Sequence, residues 1–290
     1  MMFSGTYTAI ATPFKNGEID FKSFERCIER QIAGKVEGIV PAGCTGEAAT
    51  MTPDEQLKLI KFTVECVKGR TQVVAGTGSN NTREAIELTK GASQLDIQGV
   101  LVITPYYNKP TQHGIIAHYR AVADNSRVPL MVYNVPGRTG VNILPETIAE
   151  MSKHANIRAV KEASGSVDQV SSILSLCDIE VLSGDDPLTL PMISVGACGV
   201  VSVTSNVAPR EVSAMVQCAL RGDFAAAKDA HYRLLRLHRS LFVESNPIPV
   251  KTVLGELGLI PHELRMPLQY GRKETVELAH KLVAEFQLRA

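Results

Sequence analysis

Eight short apolar runs, rich in β-branched residues, recur along the chain with room for one helix between each pair, and this spacing constrains the fold more than any other feature. They fall at residues 7–11, 38–41, 72–75, 100–103, 130–133, 157–160, 180–182 and 199–203. None shows strict polar alternation, as expected of strands buried on both faces of a parallel sheet. Between them lie helical signals. Thr52-Pro53-Asp54-Glu55 combines an N-cap, a proline at the first helical position and acids in the first turn. Eight strand–helix units within about 220 residues match the requirement of a closed (β/α)8 barrel. An open doubly wound sheet is the alternative. Its dinucleotide-binding form needs G-x-G-x-x-G after a strand, whereas Gly76-Thr77-Gly78 runs on into Ser79-Asn80-Asn81. From residue 223 the strand pattern stops and helical periodicity continues through 225–241, 250–257 and 273–286, with no Gly/Ser/Pro-rich linker. The expected organisation is an α/β TIM barrel over residues 1–222 that carries the catalytic groups, with a helical region over 223–290 packed on it.

Composition narrows the function. Thirty basic residues balance thirty acidic ones, which leaves no global field for a nucleic-acid backbone or an anionic membrane. The six cysteines form no C-x-x-C pair and read as reduced thiols of a cytosolic protein. Neither a signal peptide nor a transmembrane run is expected. No histidine or cysteine spacing suits a metal, so neither metal nor cofactor is expected.

Barrel enzymes carry their reactive groups at the C-terminal ends of the strands. The sixth run closes on Lys161. An amine among apolar strands loses the hydration that favours its charged form, which suits a nucleophile. A buried stem with its head snorkelling to solvent is the commoner fate of such a lysine. The fifth run shifts the balance by ending in Tyr133-Asn134-Val135-Pro136-Gly137-Arg138-Thr139-Gly140. Tyr133 can relay protons beside Lys161, and Arg138 can clamp a carboxylate. A core tyrosine and an ordinary loop charge are the plainer alternatives. Gly43-Cys44-Thr45-Gly46-Glu47 reads as a small-residue turn opening onto a helix, either an anion-holding turn or a tight βα turn with a capping threonine. Thr104-Pro105-Tyr106-Tyr107-Asn108-Lys109-Pro110 offers paired aromatics for packing, a pocket wall or a subunit contact.

Taken in order, these segments, with Ala9-Ile10-Ala11-Thr12-Pro13-Phe14, Ser183-Gly184-Asp185-Asp186 and Asn246-Pro247-Ile248-Pro249-Val250-Lys251, resemble the dihydrodipicolinate synthase family, also called 4-hydroxy-tetrahydrodipicolinate synthase, within the N-acetylneuraminate lyase group of pyruvate aldolases. The resemblance covers essentially the whole chain. It implies a lyase of lysine and diaminopimelate biosynthesis that condenses pyruvate with L-aspartate 4-semialdehyde through an imine on Lys161. By the same resemblance Tyr133 shuttles protons, Thr45 holds the pyruvate carboxylate, and Arg138 binds the carboxylate of the semialdehyde. Tyr107 would reach into a neighbouring subunit of a homo-oligomer, a tetramer built from dimers, while Gly184 and Val201 line the pocket. Cys44 stands where the family usually has threonine, so a thiol replaces a relay hydroxyl. Ala49, Asn80, Glu84 and Tyr106 match a lysine effector site, in which Gln56 and Pro53 replace frequent histidines; weak or absent feedback is the expectation. A different pyruvate aldolase of the group, acting on sialic or sugar acids, and a non-catalytic barrel that binds a keto acid or amino acid are the competing readings.

Overall fold

The computed structural model describes residues 1–289. Eight strands, β1 (Gly5–Ala9), β2 (Gly38–Val40), β3 (Gln72–Gly76), β4 (Gly99–Ile103), β5 (Leu130–Asn134), β6 (Ile157–Glu162), β7 (Glu180–Ser183) and β8 (Gly199–Ser202), run parallel. They close into one barrel in the order β1-β8-β7-β6-β5-β4-β3-β2. Helices follow the strands and cover their outer faces, as the continuous apolar runs require.

Each strand divides its side chains between two cores, because successive residues point to opposite faces. Val100, Val102, Leu130, Val132 and Val160 pack outward against the helices. Leu101, Met131, Tyr133, Ala159, Leu182 and Val201 fill the interior. Lys161 shares the parity of Ala159 and is therefore directed inward. At the N-terminal end, Phe3 meets Tyr7 edge-on with ring centroids 6.1 Å apart, and both are fully buried. Gly38 makes room for that plug: a Cβ there would come within 2.2 Å of the Tyr7 ring.

Two local features depart from the sequence reading. The first strand starts at Gly5, two residues earlier than its apolar run. Thr6 and Thr8 belong to it as buried polar residues, and Thr8 donates its hydroxyl to Gln31 Oε1 at 2.8 Å, so hydropathy under-reports this strand. Beyond it, Phe14–Lys15 and Glu18–Ile19 pair as a small antiparallel hairpin that the runs did not indicate. Its only fully buried side chain is Phe14.

The helix Pro53–Val67 carries the expected start in full, since Thr52 and Glu55 form a reciprocal capping box ahead of Pro53. The last three long helices are Phe224–Ser240, Ile248–Glu256 and Lys273–Glu285. The loop between the first two brings Asn246 back over the barrel mouth, where its amide meets Thr45. No helix among the described residues is long and apolar enough to cross a membrane.

Candidate active site

Tyr133 and Lys161 occupy paired positions on neighbouring strands β5 and β6. The amine Nζ lies 4.1 Å from the centroid of the tyrosine ring. Lys161 is only 5% exposed, which removes the snorkelling alternative. Burial among apolar strands lowers its pKa to about 8; Cys44, Asp185 and Asp186 pull it back up, and Arg138 pushes it further down. A large fraction of the amine is therefore uncharged in mildly alkaline solution.

Burial acts in the opposite sense on Tyr133, whose phenol is held well above its usual value, with Cys44 adding to the rise and Arg138 opposing it. Tyr133 keeps its proton and so can donate one. Cys44 on the second βα loop is thus close enough to the phenol to act on its titration. Asp185, half-buried after β7, has its carboxyl raised by burial and drawn down again by Lys161. Gly184 sits against the lysine stem. A Cβ there would approach Ala163 Cβ to 2.5 Å and Lys161 Cε to 3.2 Å.

The turn at Gly43-Cys44-Thr45-Gly46-Glu47 differs from its reading in the sequence. It opens onto a three-residue 3-10 turn, Ala48–Thr50, and the α-helix begins only at Pro53. The α-helix N-terminus therefore does not adjoin this turn, and its cap is Thr52 rather than Thr45. The buried Thr45 hydroxyl instead accepts a hydrogen bond from Asn246 Nδ2 at 2.9 Å. The exposed Arg138 donates from Nη2 to the carbonyl of the same Asn246 at 3.0 Å. One asparagine from the C-terminal region therefore joins the turn at Thr45 to the guanidinium at Arg138. The segment 246–251 was visible as a motif, but nothing in it signalled this junction.

Cys44, Tyr133, Arg138 and Asn246 line one side of a cavity of about 420 Å³. Ala49, Gln56, Glu84 and Tyr106 line another part of the same space. Lys161 does not form its wall, whereas Tyr133, over whose ring the amine lies, does. Asn80 lies outside the cavity and donates to the Tyr106 carbonyl at 3.1 Å, and Glu84 accepts a hydrogen bond from Ser79 Oγ. The Gln56 amide is already engaged, donating to the carbonyls of Ala48 (3.1 Å) and Met51 (3.3 Å). Tyr107 stands apart from the cavity, 89% exposed and with φ at +71°. Val201 is fully buried on β8 in the barrel interior. Among the described residues, no three His, Cys, Asp or Glu side chains cluster to hold a metal.

The model of the dihydrodipicolinate synthetase family matches residues 2–285. The 4-hydroxy-tetrahydrodipicolinate synthase of Geobacter metallireducens is 49% identical over 289 residues, covering 99% of this chain and all of that one. The crystal structure of dihydrodipicolinate synthase from Aquifex aeolicus superposes with a TM-score of 0.97 at 42% identity over 99% of each chain. The enzyme from Cyanidioschyzon merolae, crystallised with lysine bound, does so with a TM-score of 0.95 at 39% identity over 98% of each chain.

Proposed function

The chain belongs to the dihydrodipicolinate synthetase family, and we propose that it condenses pyruvate with L-aspartate 4-semialdehyde to give 4-hydroxy-tetrahydrodipicolinate, a lyase step of diaminopimelate and lysine biosynthesis. The observation that carries the reading is the buried, partly uncharged amine of Lys161 against the Tyr133 ring. Lys161 Nζ attacks the keto carbon of pyruvate, and loss of water gives the imine. Removal of a methyl proton gives the enamine, which bonds to the aldehyde carbon of the second substrate. The amino group of that substrate then displaces Lys161 from the imine, closing the ring and freeing the lysine.

The surrounding groups have matching roles in this reading. Tyr133, which holds its proton, supplies it to the departing hydroxyl and takes one back, with Cys44 as its partner. Thr45 and its turn hold the pyruvate carboxylate, and Arg138 takes the carboxylate of the semialdehyde. Gly184 leaves space for the adduct, and Val201 backs the pocket from β8. Holding both carboxylates in line in a small, partly dry mouth supplies much of the rate.

Residues 1–222 act as the catalytic barrel, and the helical region expected over 223–290, whose last residue lies outside the described residues, lends Asn246 to the mouth. The working assembly is a homo-oligomer, a tetramer built from two dimers in which Tyr107 completes a neighbour's site; its exposure and positive φ support this. The protein acts in the cytoplasm, as its balanced charge and scattered thiols suggest. Ala49, Gln56, Asn80, Glu84 and Tyr106 form a weak lysine effector site, in which the Gln56 amide is already engaged by the carbonyls of Ala48 and Met51.

Initial rates with alternative carbonyl partners test the substrate assignment. Pyruvate with aspartate semialdehyde should outrun cleavage of sialic acid, and Arg138→Ala should raise the KM for the semialdehyde while leaving that for pyruvate near its original value. Faster sialic acid cleavage would place the chain among the sugar-acid lyases of the same scaffold.

A further inference from the structure

Glu47 is 3% exposed, occupies a left-handed backbone conformation at φ +56°, and closes the turn that carries Cys44 and Thr45. Its backbone N–H donates to the Cys44 carbonyl at 3.1 Å, so its placement and that of Cys44 are coupled. A glutamate favours this conformation less than a glycine does, and the surrounding structure must hold it there. The holding contact is Lys251, fully buried on the helix Ile248–Glu256, whose Nζ donates to Glu47 Oε1 at 2.5 Å. The other oxygen, Oε2, accepts the Arg265 backbone N–H at 3.1 Å.

Phe14 of the hairpin completes the arrangement. Lys251 Nζ lies 4.6 Å from its ring centroid and the Arg265 guanidinium carbon 4.5 Å from it, so a buried ring contacts two cations. Arg265 is itself anchored, with Nη2 on Glu55 Oε1 at 2.5 Å and Nη1 on Glu55 Oε2 at 2.9 Å. The turn is thus tied to the C-terminal region three times, through Thr45 to Asn246, through Glu47 to Lys251 five residues later, and through Glu47 to the backbone of Arg265.

We infer that Glu47 and Lys251 are positioning residues: their buried ion pair, braced by Phe14 and Arg265, fixes the Cys44-Thr45 turn in register with Lys161 and Tyr133. A buried ion pair contributes little net stability over apolar residues of similar size, so its presence beside a reactive turn is better explained by geometry than by stability. The inference rests on the imine reading above, because it assigns the turn a role in holding the keto acid.

The test measures borohydride trapping of pyruvate as a function of pyruvate concentration, with circular dichroism recorded on each protein. Glu47→Gln should raise half-saturating pyruvate by about tenfold or more, since small misplacements of a binding group carry large costs. Lys251→Arg, which keeps the charge, should stay nearer the parent protein. Glu47→Gln combined with Lys251→Met removes both charges and relieves the unpaired one, so it should fold better than either loss alone while keeping the raised half-saturation. A folded double variant with the parent's half-saturation would overturn the inference and leave the imine intact. Failure of the parent protein to trap pyruvate at all would instead overturn the imine reading, and this inference with it.

Discussion

Lys161 Nζ lies over the face of the Tyr133 ring, 4.1 Å from its centroid, and the two residues are register partners on adjacent strands of a closed barrel. This pairing is geometric before it is chemical. Two neighbouring parallel strands with interior-facing residues at matched heights must bring those side chains together, and the dry interior then lowers the charge on one and retains the proton on the other.

The depressed lysine pKa predicts a pH profile. The rate of pyruvate imine formation should fall about tenfold per pH unit below a midpoint near 8 and level off above it, because only the free base attacks. Stability carries the same signature. The folded value is about 8 against an ordinary value of 10.5, so below pH 8 both states hold the proton and folding bears the full cost of burying a cation. Between those two values the unfolded chain still holds a proton that the folded chain has released, and stability rises with pH. Denaturant midpoints across this window should rise in the parent protein, and Lys161→Met should remove that part of the rise.

Tyr133→Phe separates the hydroxyl from the ring. The ring that packs on Lys161 is retained, so the fold and the lysine's environment should persist. Imine formation should nevertheless slow by about 10²- to 10⁴-fold, the usual range for a lost proton-transfer group. Single-turnover trapping with pyruvate gives the number, and a slowing of less than about threefold would remove Tyr133 from the relay.

Gly184→Ala tests how tightly the lysine stem is packed. The new methyl would lie 2.5 Å from Ala163 Cβ and 3.2 Å from Lys161 Cε. Neither neighbour is the free end of a flexible chain, so strain of roughly 1–3 kcal/mol should appear in denaturant unfolding. Pyruvate trapping should fall as well, because the stem that must carry the adduct is displaced.

Legibility in the sequence followed the physics of each element. All eight barrel strands announce themselves because a strand covered on both faces is largely apolar, although the buried Thr6 and Thr8 hide the start of the first, and the parity of Ala159 and Lys161 already directs the amine inward. Pairing of Tyr133 with Lys161 is legible for the same reason. The hairpin at Phe14–Lys15 and Glu18–Ile19 is not, since two-residue strands leave no period to detect. The turn at Thr45 is misread as a helix start because its true partner, Asn246, lies 201 residues away. Glu47 and Lys251 look like two ordinary surface charges until the fold buries them together. Long-range polar pairs have no local pattern, and these are the contacts that shape the mouth of the barrel.

The most direct measurement is borohydride reduction in the presence of pyruvate, followed by peptide mass analysis. A single adduct on the peptide containing Lys161, with the mass of pyruvate less one oxygen atom, is the predicted result, and Lys161→Met should abolish it. No adduct, or one on another lysine such as the buried Lys251, would contradict the assignment of Lys161 as the residue that bonds to the keto acid.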